Sequence, residues 1–352
     1  MTMTASLKRI TLLLFSLLLA PASALAAPPV CGDVLYQSIT LQQDLVCPQS
    51  GPAPVAALTI GADQVRIELN GYSIIGPGIG VYSVAVRSVG FDEVQVVGPG
   101  TITNFPKPIE IVYGTRHYVS GVSASQPYGD PFVLRNVTDS LVEDSYFTAI
   151  ELMSFGSGAT TGNKIVRNAI GTIRGGGRGS IMLFGCGTSA NVIGENRVVG
   201  QSLQAPSIDL SHGPRGNLVY ANDVYGWLLL WNASENTVID NAIRVNRTKP
   251  YAIGIFSYPP NPQTPCSYSP SSDRNLIDGN KIDSGINGVW LGDNGRKSPN
   301  VVENQLSGNE FMNQSNAGLY FAPSAARNDG RGNNYSGVAI PVIDLGFGNL
   351  WP

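Results

Sequence analysis

The residues of this chain best suited to chemistry gather in SIDLSHGPRG, residues 207–216. Asp209 is a carboxylate, His212 can take or give a proton near neutral pH, and Arg215 is a permanent cation. Three such groups this close together suit proton abstraction beside a carboxylate, or glycosidic cleavage. The same stretch also has a purely structural reading, in which Gly213-Pro214 dictates a bend and His212 is simply solvated. Glu151, earlier in the chain, is the fourth candidate catalytic residue.

The elements that must position these groups are read from a repeat. N-x-[VI]-x-x-N-x-[VI] occurs at Asn163, Asn191, Asn217, Asn236 and Asn275, with looser copies at Ser140 and Asn304. It alternates with a second element, a short apolar strand opened by a small residue, as in AIEL, SIML, SIDL and AIGI. Alternating Val and Ile with Gly, Asn and Ser turns indicates strands, and no long amphipathic helix follows the N-terminal segment. Stacked coils of this kind bury their alternating aliphatics as one continuous core. The fold expected is all-β, a right-handed parallel β-helix of about ten coils filling residues 27–352. The asparagines are read as structural: they tolerate the left-handed conformation at sharp turns, and their amides can bond from coil to coil.

Strand alternation then defines an outer ladder of side chains. Its early and middle members include Glu110, Arg135, Glu151, Phe184 and Asp209; its later ones include Leu228, Leu230, Phe256, Trp290 and Tyr320. Trp231 is placed at the same edge, one coil after His212. Charged groups could bond sugar hydroxyls while aromatic faces pack on pyranose rings, so Arg135, Phe184, Trp231, Trp290 and Tyr320 are candidate substrate-binding residues. An ordinary sheet surface is the alternative. Glu151 and Asp209 fall in one slot two rungs apart, ~10 Å, which approaches the carboxylate spacing of inverting glycosidases.

All four cysteines follow the first thirty residues, and an even count in an exported chain implies two disulfides with three connectivities. Cys31–Cys47 is the expected local pair. Cys186 and Cys266 are expected to form the second, pinning the Pro-rich insertion SYPPNPQTPCSYSPSSD over Asp209 and His212.

The segment from Cys31 to Gly78 resembles the opening of secreted bacterial parallel β-helix repeat proteins, the NosD-like group within the pectin-lyase-like superfamily. The residues carrying the resemblance are Cys31-Gly32, Asp44-Leu45-x-Cys47 and Leu69-Asn70-Gly71, and with the repeats it spans about residues 31–345. It implies the fold and little about activity. Signatures of enzymes on this fold are incomplete. Ser298-Pro299-Asn300 resembles a polygalacturonase stretch but continues as Val-Val, and Tyr128-Gly129-Asp130-Pro131 resembles an alginate epimerase stretch but is followed by Phe132 where a His is expected. The His or Met clusters that a copper role needs are absent from the sequence.

Residues 1–26 read as a signal peptide: Lys8 and Arg9, the apolar run Ile10–Ala20, and the cleavage site Ala24-Leu25-Ala26. Cleavage removes two cations and no acid, taking the formal net charge from −3 to −5. A secreted or periplasmic protein with no transmembrane segment after cleavage is expected. Mild acidity without a Lys/Arg run argues against a nucleic acid partner. No cofactor is called for and no metal, calcium included, is indicated; no C-x-x-C is present, and His117 and His212 are the only histidines. Three functions stay open: a hydrolase, lyase or epimerase acting on a polysaccharide; a non-catalytic glycan or surface binder; and a structural solenoid. Oligomeric state is not written in the sequence.

Overall fold

A computed structural model describes residues 28–48, 56–78, 84–125, 131–171, 180–200, 205–258, 271–293 and 301–351. The expected signal peptide (residues 1–26), Cys266, Tyr128–Asp130 and Ser298–Asn300 lie outside the described residues. Among those described there is no helix, and the strands stack in parallel as a β-solenoid of about ten turns. One face is a thirteen-stranded parallel sheet running from Asp33–Leu35 to Ile340–Asp344.

One turn of the solenoid shows how the sequence makes a coil. Ile208–Ser211 lies in the thirteen-stranded sheet. The chain then bends at His212–Gly216, runs through Leu218–Tyr220, turns again, runs through Asp223–Tyr225 and enters the next sheet strand, Leu228–Trp231. Every strand pairs in register with its equivalents in the coils before and after. Inward positions therefore form aliphatic columns, such as Ile165, Ile193, Val219, Val238, Ile277 and Leu306, each fully buried.

The repeated asparagines are rungs of two ladders. Asn191 Nδ2 donates to Asn217 Oδ1 (3.0 Å) and to the Thr160 carbonyl (2.8 Å), and the Asn191 N–H donates to the same Asn217 oxygen (3.0 Å). Asn222 does the same one corner later, donating to Asn241 Oδ1 and the Ile193 carbonyl while accepting from Asn196. The first ladder continues through Asn328 to Asn349, and the second to Asn333. These amides are buried and saturated, as a polar group inside a core must be.

One detail of the expectation is corrected. The left-handed geometry does not fall on the ladder asparagines but on the residue before each: Ala190, Glu235, Arg274 and Glu303 in one corner, Arg167, Glu195, Ala221 and Asp240 in the other. The asparagine side chain satisfies the turn, and its exposed neighbour takes the unfavourable φ. His117 stands in this slot before the asparagines begin. Its N–H donates to Ser140 Oγ and its Nδ1 accepts from the Val94 N–H, so it is a rung too. Burial pushes its pKa down to about 4.

Cys31 and Cys47 are disulfide-bonded, closing the first coil. Cys186 is also disulfide-bonded, and its expected partner, Cys266, lies outside the described residues. No described helix is long and apolar enough to cross a membrane.

Candidate functional site

The outer face of the thirteen-stranded sheet carries two columns. In the first, Arg87, Glu110, Val133, Glu151, Met182, Asp209, Leu229, Gly254, Trp290 and Tyr320 follow one another rung by rung. In the second, Arg135, Met153, Phe184, Ser211, Trp231 and Phe256 do so. Glu151 and Asp209 thus share a slot two rungs apart, with Met182 between them.

The ladder was misread at one strand. Leu228 and Leu230 are fully buried in the core, and Leu229 and Trp231 point out. Alternation read from Gly226 as the small opening residue puts Leu228 and Leu230 outward, but Trp227 occupies the slot that Ser207 fills one coil earlier, and the Ser207 N–H donates to its carbonyl. A slip of one residue exchanges the two faces.

The acids on this face are not solvated. Glu151 is only 2% exposed and Asp209 8%. Glu110 is also buried, which raises its pKa, but Lys107 Nζ and Arg87 Nε, each 3.1 Å away, outweigh burial and leave it lowered. Asp209 has no such cation. Burial pushes it up to about 7; the Ser211 hydroxyl works in the opposite direction, and the neighbouring negative charge of Glu151 adds to the rise. Asp209 Oδ1 is buried without a hydrogen-bond partner. A carboxyl in this state keeps its proton near neutral pH and can deliver it.

Asp209, His212 and Arg215 have different surroundings. His212 follows its strand with φ 65°, and its ring lies between Phe184 and Trp231, with centroids 4.6 and 5.1 Å away. Burial lowers its pKa. Arg215 is held by Glu235 through Nε (2.6 Å) and NH2 (2.8 Å), on an exposed corner where Arg274 binds the same carboxylate. Arg135 stacks over Phe155, 5.3 Å from its centroid, and its Nε is buried without a hydrogen-bond partner.

The predicted aromatic residues do come together. Phe155, Phe184, His212, Trp231 and Tyr258 form one continuous run of ring contacts. Tyr251, Trp290 and Tyr320 form another, with Trp290 and Tyr320 4.5 Å apart. Between the runs lies a cavity of about 310 Å³, lined by Leu229, Trp231, Pro250, Tyr251, Phe256, Tyr258, Trp290 and Asp293. It begins one rung beyond Asp209, at Leu229. Gly254 lets two of its walls close in over the sheet: a Cβ there would stand 2.5 Å from both the Tyr251 and Phe256 rings. Sequence reasoning missed Tyr251, Tyr258 and Asp293 as lining residues. The gap at Gly254, in a column of larger side chains, was the available signal. Among the described residues, no three His, Cys, Asp or Glu side chains gather as a metal site.

No protein-family model matches the chain, and no curated protein matches its sequence. Solved structures do match. A mutant of the tailspike protein of E. coli bacteriophage HK620, in complex with pentasaccharide, aligns over 82% of this chain with a TM-score of 0.56 at 11% identity. This chain spans 59% of the tailspike's length. The Azotobacter vinelandii mannuronan C-5 epimerase AlgE4 A-module aligns over 87% of this chain and 88% of its own, at 14% identity and a TM-score of 0.48. The DFA-IIIase of Arthrobacter chlorophenolicus A6 aligns over 91% and 84%, at 12% identity and 0.47. At 11% identity the tailspike likeness shows a parallel β-solenoid fold and nothing finer.

Proposed function

We propose that this is an exported protein that binds a polysaccharide laid along the outer face of its thirteen-stranded sheet and cleaves it there. The observation that carries the reading is the aromatic cavity opening one rung from a buried, proton-retaining carboxyl. Aromatic walls suit the apolar faces of sugar rings, and a concave apolar site with a few polar groups is the usual form of a ligand site. The solvation of Asp209 fits a general acid. Its proton would pass to the glycosidic oxygen as the bond to the anomeric carbon breaks, and a water would add at that carbon, losing its proton to Glu151. The two-rung separation, ~10 Å of sheet, leaves room for a sugar and that water. The tailspike with the similar fold was solved with a pentasaccharide, which agrees with a glycan ligand here. Arg215 has no part in this scheme, and His212 serves as a ring in the aromatic run.

The test is a panel of purified polysaccharides, read for binding and for products. Wild type is expected to bind one of them and shorten it. Asp209→Asn should bind with unchanged affinity and lose turnover by at least about 100-fold, the usual weight of a general acid. Binding without any product would leave the non-catalytic reading, favoured by the aromatic cavity alone. Failure to bind any glycan would remove both.

A further inference from the structure

The last coil of the solenoid leaves apolar side chains in water. The thirteen-stranded sheet finishes at Ile340–Asp344, and the chain then runs through Phe347 and Leu350, which pair with Ala326 and Asp329 of the coil before. Ile340 follows Ala317 and Val342 follows Leu319 in inward columns that are fully buried one coil earlier, and among the described residues no further strand covers them. Ile340, Leu345, Phe347, Leu350 and Trp351, all on this coil, are between 44% and 77% exposed. A terminal repeat ordinarily turns a polar face to water. We propose that this end is a dimer interface, packed about a two-fold axis against the same end of a second copy.

Three observations carry this. First, the area suffices. Taking roughly 200 Å² for a large side chain, these five residues expose about 500 Å² per copy, so two ends in contact would bury about 1,000 Å², the size at which specific interfaces begin. Second, the polar groups of the end can be covered without being stranded. Asp344 Oδ1 accepts from the Gly346 N–H and from Asn349 Nδ2, each at 2.9 Å, and Oδ2 accepts from Trp351 Nε1 at 3.1 Å. Arg331 is paired with Asp329 and Arg327 with Glu303. The charged side chains of residues 325–351 are Arg327, Arg331, Asp329 and Asp344, two of each sign, so two ends meet at zero formal charge although the whole chain carries −3. Third, the open sheet edge is blunted against an added strand. The Ile340 N–H donates to the Asn316 carbonyl of the coil before, and N–H groups alternate sides along a strand. Position 341 therefore faces the open edge, where proline has no N–H to give. What remains to recognise is side chains, and a two-fold axis sets each apolar residue against a surface of its own kind.

Light scattering on the purified protein reads its mass, and small-angle X-ray scattering its length. The wild type is expected to be a dimer at ~10 μM, because interfaces of this kind reach micromolar dissociation constants or tighter. Joined end to end, it should be about twice as long as the monomer. Phe347→Glu and Leu350→Glu each set a charge into the interface from both copies and should weaken the dimer by at least about 100-fold. Both side chains are more than half exposed, so the thermal melt of each monomeric variant should show an intact fold. Tyr113→Glu, at an exposed aromatic on a distant coil, should leave the dimer as it is. A monomer at every concentration up to ~100 μM would overturn the proposal. So would a dimer indifferent to both Glu variants at the end, or one no longer than the monomer. Species that keep growing with concentration would overturn it too, since they need the opposite end of the solenoid as well. The glycan reading of the sheet face stands or falls separately from each of these outcomes.

Discussion

Two regions of this solenoid bury polar side chains, and they do it in opposite ways. At the corners, each ladder asparagine is saturated: Asn222 donates twice and accepts twice, all at 2.9–3.0 Å. On the outer face of the thirteen-stranded sheet, Asp209 Oδ1, Arg135 Nε and Trp290 Nε1 are buried with no hydrogen-bond partner. Saturated groups hold a fold together, whereas a buried unsatisfied group is a standing cost that structure alone does not explain. The corners are therefore built for stability, and the face between Arg135 and Tyr320 is where stability is given up. Glu110 sharpens the contrast, since it is an equally buried acid on the same face made ordinary by two cations.

The comparison can be broken by substitution. The largest effect is expected at Asn222. Replacing it with Leu strands donors and acceptors in two neighbouring coils and should cost about 5 kcal/mol in chemical denaturation. A loss under about 1 kcal/mol would mean that the ladder is not the structural element described here.

Asp209→Asn should act in the opposite direction and depend on pH. The folded carboxyl has its pKa raised from 3.8 to about 7, so the folded state binds the extra proton. Its contribution is intact at low pH and is lost as pH rises from about 4 through 7. The amide escapes that loss, so the variant should be more stable than wild type at pH 8 by up to roughly 4 kcal/mol, and about equal to it at pH 4. Thermal melts at the two pH values check this. A destabilised variant at pH 8 would show that Asp209 is a structural carboxylate.

His117 gives the reverse sign. Its pKa falls from 6.5 to about 4 on folding, so its contribution is present above pH 6.5 and is lost as pH falls toward 4. His117→Asn, which supplies the amide of the other rungs, should flatten the acid limb of the stability curve by roughly 3 kcal/mol. The smallest effect is expected at Arg215→Ala. It breaks an exposed ion pair with Glu235 and should change stability by less than about 1 kcal/mol, with binding and turnover unaltered. Lost turnover there would restore Arg215 to the site.

The corners were legible in the sequence because turn and core chemistry repeats in every coil: Asn236, Val238, Asn241 and Ile243 read the same in one coil as Asn275, Ile277, Asn280 and Ile282 in a later one. What does not repeat was harder to read. The left-handed position could be Arg, Glu, Asp or Ala, because it is exposed and nothing but φ constrains it. Trp227 hid the register of its strand by filling a slot held by Ser, Ala, Gly or Pro in the other coils. The burial of Asp209 and Glu151 depends on what packs over the sheet, which strand alternation cannot report. Arg215 looked adjacent to Asp209 along the chain, yet its partner Glu235 comes from the next coil. In a solenoid, the neighbours that set a side chain's chemistry are one coil away, not a few residues away.

The most direct test of the account is the structure of Asp209→Asn with an oligosaccharide of the polysaccharide it binds. The sugar is expected along the sheet face, with one residue between Trp231 and Trp290 and a glycosidic oxygen within hydrogen-bond reach of position 209. A sugar bound instead at an asparagine corner, or at the Arg215–Glu235 edge, would contradict it.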